Sequence, residues 1–161
     1  MFQRRCLSIA LSLFVFLMLC DTERSSAQTV VVNNDLLFGN VFPSVPKRVL
    51  KTTGSSAAEF FITGTASAEV TIDFTLPTYM SSSGFNMQLI FYNSDAALDS
   101  SATPNQSSPP VDNLDPWSTI TYRIGSSGLT IWLGGKAIPK LIQPQGSYLG
   151  DIVITVAYTG N

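Results

Sequence analysis

The stretch GSYLGDIVITVAY (residues 146–158) decides the fold of this chain. After two glycines that mark a turn, apolar side chains recur at every second position from Ile152 to Tyr158, with β-branched or small residues between them. This period of two predicts a β-strand that packs well on at least one face. Because Val153 and Ala157 make the second face apolar too, we expect a core strand covered on both sides, not one at a solvated sheet edge.

The first 27 residues have the organisation of a secretory signal peptide. Two arginines precede an apolar run over residues 6–20, and small residues precede a cleavage point after Ala27. The run is shorter than the ~20 apolar residues that a membrane-spanning helix needs. A lipoprotein signal at Cys20 and a twin-arginine signal are weaker alternatives, because the flanking residues fit both poorly. We therefore expect a helical signal peptide at 1–27 and export to the periplasm, the cell surface or the extracellular medium.

The remaining chain, residues 28–161, lacks the side chains on which many catalytic sites depend. Both cysteines lie in the first 27 residues, and the sequence has no histidine. Ser-His-Asp triads, cysteine–histidine pairs and His-bearing zinc sites are therefore excluded. Six basic and nine acidic residues give this part a formal charge of −3. Such a sparsely charged, weakly acidic surface argues against a nucleic-acid partner.

Short β-like segments separated by Gly, Pro and Asn follow one another along residues 28–161. The clearest alternates strictly over residues 69–76, with Val70 and Ile72 on one face and Glu69 and Thr71 on the other. About seven to nine such segments predict a single all-β domain, an immunoglobulin-like antiparallel β-sandwich. A small barrel is the alternative architecture.

Four local predictions depend on turns and composition. Residues 29–38 predict two short strands joined by a bend. Residues 64–68 are expected to close a hairpin between the strands at 59–63 and 69–76. Residues 93–116, rich in Ser, Asp, Asn and Pro, predict a long loop that is functional or mobile. Prolines in and after residues 137–142 predict a short edge strand there.

Candidate site residues are few, and an ordinary structural role is favoured for each. A Ser-Lys dyad would need one of four lysines, Lys47, Lys51, Lys136 and Lys140, but no spacing marks one of them. Paired acids of the glycosidase type would come from Glu59, Glu69 and Asp73. Calcium ligands would come from Asp95, Asp99, Asp112 and Asp115. None of these sets has a spacing typical of a catalytic or metal site, so we predict no catalytic residue, no cofactor and no bound metal. Of the aromatic residues, Trp117 and Trp132 are candidate ligand contacts, since exposed rings stack on sugars.

Several pieces of sequence resemble a secreted bacterial family known as domain of unknown function 4402. They are LFG (37–39), AEFFITG (58–64), VTI (70–72), LGG (133–135), GSYLG (146–150) and the strand at 153–158. The family is similar in organisation to fimbrial and spore-coat pilin-like subunits, which implies an exported sandwich that a neighbour completes by adding a strand. Val30, Val31 and Val32 are then a candidate assembly strand, although so short an arm could instead complete its own sheet.

These observations predict a non-enzymatic, exported bacterial surface protein, a structural or adhesive subunit of the fimbrial type. Its expected partners are itself or other surface subunits, joined by β-strand contacts, and it is expected to meet the membrane only during export. The alternative is a secreted carbohydrate- or ligand-binding β-sandwich module.

Overall fold

The computed structural model describes residues 27–160, so the predicted signal peptide lies outside the described residues except for Ala27. The described part is all-β and antiparallel, which confirms the predicted fold class, and it contains no helix that could cross a bilayer. It has twelve strands, more than the seven to nine expected. The strands are β1 (Thr29–Asn34), β2 (Lys47–Val49), β3 (Ala58–Thr63), β4 (Glu69–Thr75), β5 (Tyr79–Ser82), β6 (Phe85–Ile90), β7 (Ala96–Asp99), β8 (Val111–Leu114), β9 (Ile120–Arg123), β10 (Leu129–Leu133), β11 (Gly135–Ile138) and β12 (Val153–Tyr158).

The strands form three sheets around one hydrophobic core. Their orders are β1-β3-β10-β7-β8, β2-β11-β6-β5 and β12-β4-β9. The alternation read from the sequence places the core correctly, since Val70 and Ile72 of β4 are fully buried while Asp73 is exposed. Across the sandwich, the rings of Phe60 in β3 and Phe74 in β4 lie 5.8 Å apart. Burial of a side chain such as Val70 or Ile72 stabilises the fold by about 1.5–3 kcal/mol relative to leaving it exposed.

The predicted hairpin between β3 and β4 is wrong. These strands belong to different sheets, and residues 64–68 cross from one sheet to the other. Both strands have an apolar face that must be buried, and each buries it against the other across the core. A connection of five residues is long enough to span the ~10 Å between packed sheets.

The predicted long loop at 93–116 is also wrong, because it contains β7 and β8. Strand β7 lies between β10 and β8, and all four of its residues are buried. Its alanines and its aspartate have low β propensity, so the sequence pattern did not indicate a strand here. In the fold, the Asp99 carboxylate is satisfied because it accepts hydrogen bonds from the backbone N–H groups of Ser101 (2.7 Å) and Asn105 (2.9 Å). The next segment is held down as well, since the Gln106 amide donates to the Lys51 carbonyl at 2.8 Å.

Two predicted sheet positions are reversed. Residues 135–138 form β11, which lies between β2 and β6 and is not an edge strand. The stretch expected to be covered on both sides, β12, is an edge strand that pairs only with β4 in the described part of the chain. Its residues alternate between exposed and half-buried, and Val153 points to solvent. An apolar side chain on the second face was thus a poor sign of burial.

Two further corrections concern short segments. Of the two strands expected at 29–38, only β1 forms, and residues 35–42 continue without pairing as a strand. The hairpin β5–β6 was not predicted; Ser83 and Gly84 both have positive φ (47° and 84°) at its turn. Such a two-residue turn matches the twist of the flanking strands.

Candidate functional site

A groove of about 900 Å³, lined by both apolar and polar residues, opens at one corner of the sandwich. One wall is the end of β1 with residues 35–43, and the other is residues 143–152, which lead into β12. Its lining includes Val32, Phe38, Phe60, Met80, Met87 and Ile152. The floor of the groove is therefore the side of the hydrophobic core itself, reached from solvent.

The groove exists because one sheet extends further than the sheet that faces it. Val30 and Val32 of β1 pair with Ile62 and Phe60 of β3. Paired residues point to the same face of a sheet, so these valines face the core side. Val32 nevertheless remains 56% exposed. The three-stranded sheet ends at β12, and no further strand of the described chain covers this part of β1.

Strand β12 follows directly on Ile152 of the groove wall and presents backbone hydrogen-bonding groups at its outer edge. Thr159 N donates to Glu69 O at 3.0 Å, and the Ala157 carbonyl accepts from the Thr71 hydroxyl at 3.3 Å, so the odd-numbered residues face β4. In an antiparallel pair the intervening residues point the other way. The N–H groups of Ile154 and Val156 therefore point to the outer edge.

One end of this corner is closed by β1. The Gln28 side-chain amide donates to the Val156 carbonyl, which ties the start of β1 to β12. Val32 of β1 and Ile152, the residue before β12, both line the groove.

The candidate assembly strand lies in the chain's own sheet. Val30, Val31 and Val32 are part of β1, which pairs antiparallel with β3 and is held by the contact of the Thr29 and Thr63 hydroxyls at 2.5 Å. In this arrangement β1 completes its own sheet, and a role for these valines in assembly stays a prediction.

The two tryptophans have different environments. Trp132 is only 2% exposed, and its indole N–H donates to the Glu59 carboxylate at 2.9 Å, so its ring offers no face for stacking on a ligand. Trp117 is 53% exposed, with its indole N–H bonded to the Phe91 carbonyl at 2.9 Å. Only Trp117 of this pair is placed to contact a ligand.

The acidic candidates are dispersed, and each has a local partner. Asp95 pairs with Arg48 at 2.8 Å, Asp112 pairs with Lys51 at 2.6 Å, and Asp115 accepts from the Trp117 backbone N–H at 2.9 Å. Glu59 accepts from Trp132, Glu69 lies 3.7 Å from Arg123, and Asp73 accepts from the Thr119 hydroxyl at 2.6 Å. Within residues 27–160 no group of three or more such side chains is placed to hold a metal ion.

Two carboxyl groups have shifted pKa values with clear causes. Burial raises the pKa of Asp99, but the hydrogen bonds from the backbone of Asn105 and Ser101 outweigh it and hold the pKa below its ordinary value of 3.8. The hydrogen bond from the Lys51 ammonium holds the pKa of Asp112 below the same value. Both shifts are those of structural ion pairs and turns.

In comparisons with known proteins, no protein-family model and no curated protein matches this chain. The resemblance described above thus stays a prediction. Two of its pieces, LFG (37–39) and GSYLG (146–150), line the groove on opposite walls. They were noted in the sequence without any indication that they meet, because they are more than a hundred residues apart.

Proposed function

We propose that this protein is an exported, non-enzymatic structural or adhesive subunit of a bacterial surface assembly, which joins its partners through β-strand contacts at the groove. The observation that carries the proposal is the open corner, where the end of β1 and residues 143–152, which lead directly into the edge strand β12, line a groove that reaches the hydrophobic core. The signal-like N-terminal sequence supports export.

The groove has the features that an added strand requires. If an extended segment were laid along β12, its carbonyl groups would accept ladder hydrogen bonds from the outward N–H groups of Ile154 and Val156. Its alternate side chains would enter the groove and cover Phe38, Phe60 and Met87. Main-chain bonds would supply affinity, and the apolar lining would select segments with an apolar residue at every second position.

The test blocks the outer edge of β12 without breaking its inner ladder. Proline at Ile154 removes an N–H that points to the outer edge of β12, whereas proline at Thr155 removes one that faces β4. We expect Ile154→Pro to fold with modest loss of stability and to abolish concentration-dependent assembly of residues 28–161 in light scattering. Thr155→Pro should instead unfold the domain at lower denaturant.

Ile154→Val is the matched control, because it shortens the same half-buried side chain and keeps the N–H. It should assemble like the unchanged protein. If the unchanged protein is a monomer at all concentrations and binds no strand peptide of alternating apolar pattern, or if Ile154→Pro assembles as well as Ile154→Val, the proposal is wrong.

A binding module is the second candidate function, favoured by one observation. Trp117 is exposed beside the segment that carries Tyr92, a partly exposed ring with the Arg48 guanidinium 4.9 Å from its centroid. Rings of this kind stack on the apolar faces of sugars. Glycan-array binding that is lost in Trp117→Ala and kept in Ile154→Pro would favour this function over assembly.

A further inference from the structure

Two loops form an apolar tip at one end of the four-stranded sheet. Residues 42–46 precede β2 and residues 139–142 follow β11, and the pairing of Lys47 with Ala137 brings them side by side. The Ser44 N–H donates to the Lys140 carbonyl at 3.2 Å, which joins the loops. We name residues 42–47 and 139–142 the tip.

The tip exposes large apolar side chains. Phe42 is 68% exposed, Leu141 is 78% exposed and Ile142 is 86% exposed, and Val45 is exposed beside them. The β5–β6 turn lies at the same end, since Ile138 pairs with Gln88 near the start of β6. An exposed Phe85 follows that turn. Contiguous exposed apolar groups of this kind mark an interaction surface.

The charge around the tip is opposite to that of the protein as a whole. Residues 41–49 and 136–148 contain four of the six basic residues of 28–161 and no Asp or Glu, whereas 28–161 carries a net charge of −3. Arg48 is paired with Asp95. Lys47, Lys136 and Lys140 are the other cations of this end, and the Lys47 ammonium donates to the Asn40 carbonyl at 3.2 Å.

Most acids of the described residues lie away from the tip. Asp95 and Asp112 accept hydrogen bonds from Arg48 and Lys51, toward the opposite end of β2. The acids closest to the tip segments in sequence, Asp35 and Asp151, line the groove. Phe42 of the tip lines the same groove, so the tip has Lys47, Lys136 and Lys140 on its β2–β11 side and these two acids on its groove side.

We propose that the tip docks on an anionic lipid surface, with Phe42, Leu141 and Ile142 in the interface and the lysines at the phosphate level. Apolar side chains projecting from a surface beside Lys residues bind such a layer through buried apolar area and attraction to anionic headgroups. A second copy of this chain is the alternative partner. Its net charge is only −3, so it would attract the lysines of the tip less than a surface dense in phosphate groups would. The tip shares Phe42 and Pro43 with the groove wall, but Leu141 and Ile142 lie outside the groove lining, so this inference goes beyond the proposed function.

The test is sedimentation of the protein of residues 28–161 with vesicles of phosphatidylglycerol and phosphatidylcholine, compared with phosphatidylcholine alone. We expect binding to the anionic vesicles only, falling as salt is added. Leu141→Ser with Ile142→Ser should abolish it, and Lys140→Gln should lower the partition coefficient about fivefold. These side chains are exposed, so the variants should fold with unchanged melting temperature.

Leu50→Ser is the matched control, an exposed leucine at the opposite end of β2. It should bind vesicles like the unchanged protein. The proposal is overturned if anionic vesicles fail to bind, if Leu50→Ser weakens binding as much as the tip variant, or if the tip variant changes only the oligomeric size in light scattering. Ile154→Pro should retain vesicle binding, so failure of strand assembly and failure of lipid docking are separable.

Discussion

The carboxylate of Glu59 connects three strands, and its removal gives a sharp test of the structure. It accepts a hydrogen bond from the buried indole N–H of Trp132 in β10 and one from the Asn33 amide in β1, both at 2.9 Å. Glu59→Ala leaves the Trp132 N–H buried without a partner, which costs about 1–3 kcal/mol. The exposed bond to Asn33 adds about 0.5–1 kcal/mol. We therefore expect a loss of about 2–3 kcal/mol in the free energy of unfolding, and a melting temperature lower by about 10 °C.

The assay is urea and thermal unfolding of residues 28–161, with two comparison variants. Glu59→Gln keeps an acceptor for Trp132 and should lose only about 1 kcal/mol. Glu69→Ala removes a carboxylate that lies 3.7 Å from the exposed Arg123 and should lose less than about 1 kcal/mol. If Glu59→Ala is no less stable than Glu69→Ala, the assigned partner of the indole N–H is wrong.

Three further predictions concern other parts of the sandwich. The ionised form of Asp99 stabilises the fold above its ordinary pKa of 3.8, and this contribution is lost as the pH falls through the lower folded pKa; urea titrations should show a steeper acid loss in the unchanged protein than in Asp99→Asn, and parallel losses would contradict this. Gly125→Ala would place its Cβ 1.9 Å from the Ser100 carbonyl oxygen and should be severely destabilising. Gly84→Ala meets no atom within 4 Å and should cost only about 1–2 kcal/mol for its positive φ, so equal losses would refute the contact at Gly125. Phe60→Ala should lose about 3–5 kcal/mol in urea unfolding, and a loss below about 1 kcal/mol would show that the two sheets do not meet at this ring.

The sequence predicted those strands whose residues alternate or are β-branched. Residues 69–76 gave β4 with the right buried face. Strand β7 was missed because its alanines and its carboxylate have low β propensity. They form a buried strand only because the neighbouring strands and residues 101–106 cover them. That cover is made by tertiary contacts, which composition in a short window does not contain.

Strand partners and the groove were beyond local pattern for the same reason. The local pattern of residues 59–76 does not indicate whether β3 and β4 pair in one sheet or face each other from two sheets. The groove depends on the difference in extent between two sheets, a property of topology. The sequence could mark Trp117 and Trp132 as aromatic residues, but only the partner strands decide that Trp132 is buried and Trp117 exposed.

The order of pairing also determines when the domain can fold. Strand β4 is paired on one side with β9 and on the other with β12, and β3 pairs with β10. These partners are separated by about fifty residues or more of chain, so loop closure must precede most of the stabilising contacts. A chain that leaves a ribosome or a translocation pore from its N-terminus keeps β4 half-paired until β12 has emerged. Its apolar strands stay incompletely covered for most of that passage, which makes the emerging chain prone to aggregation.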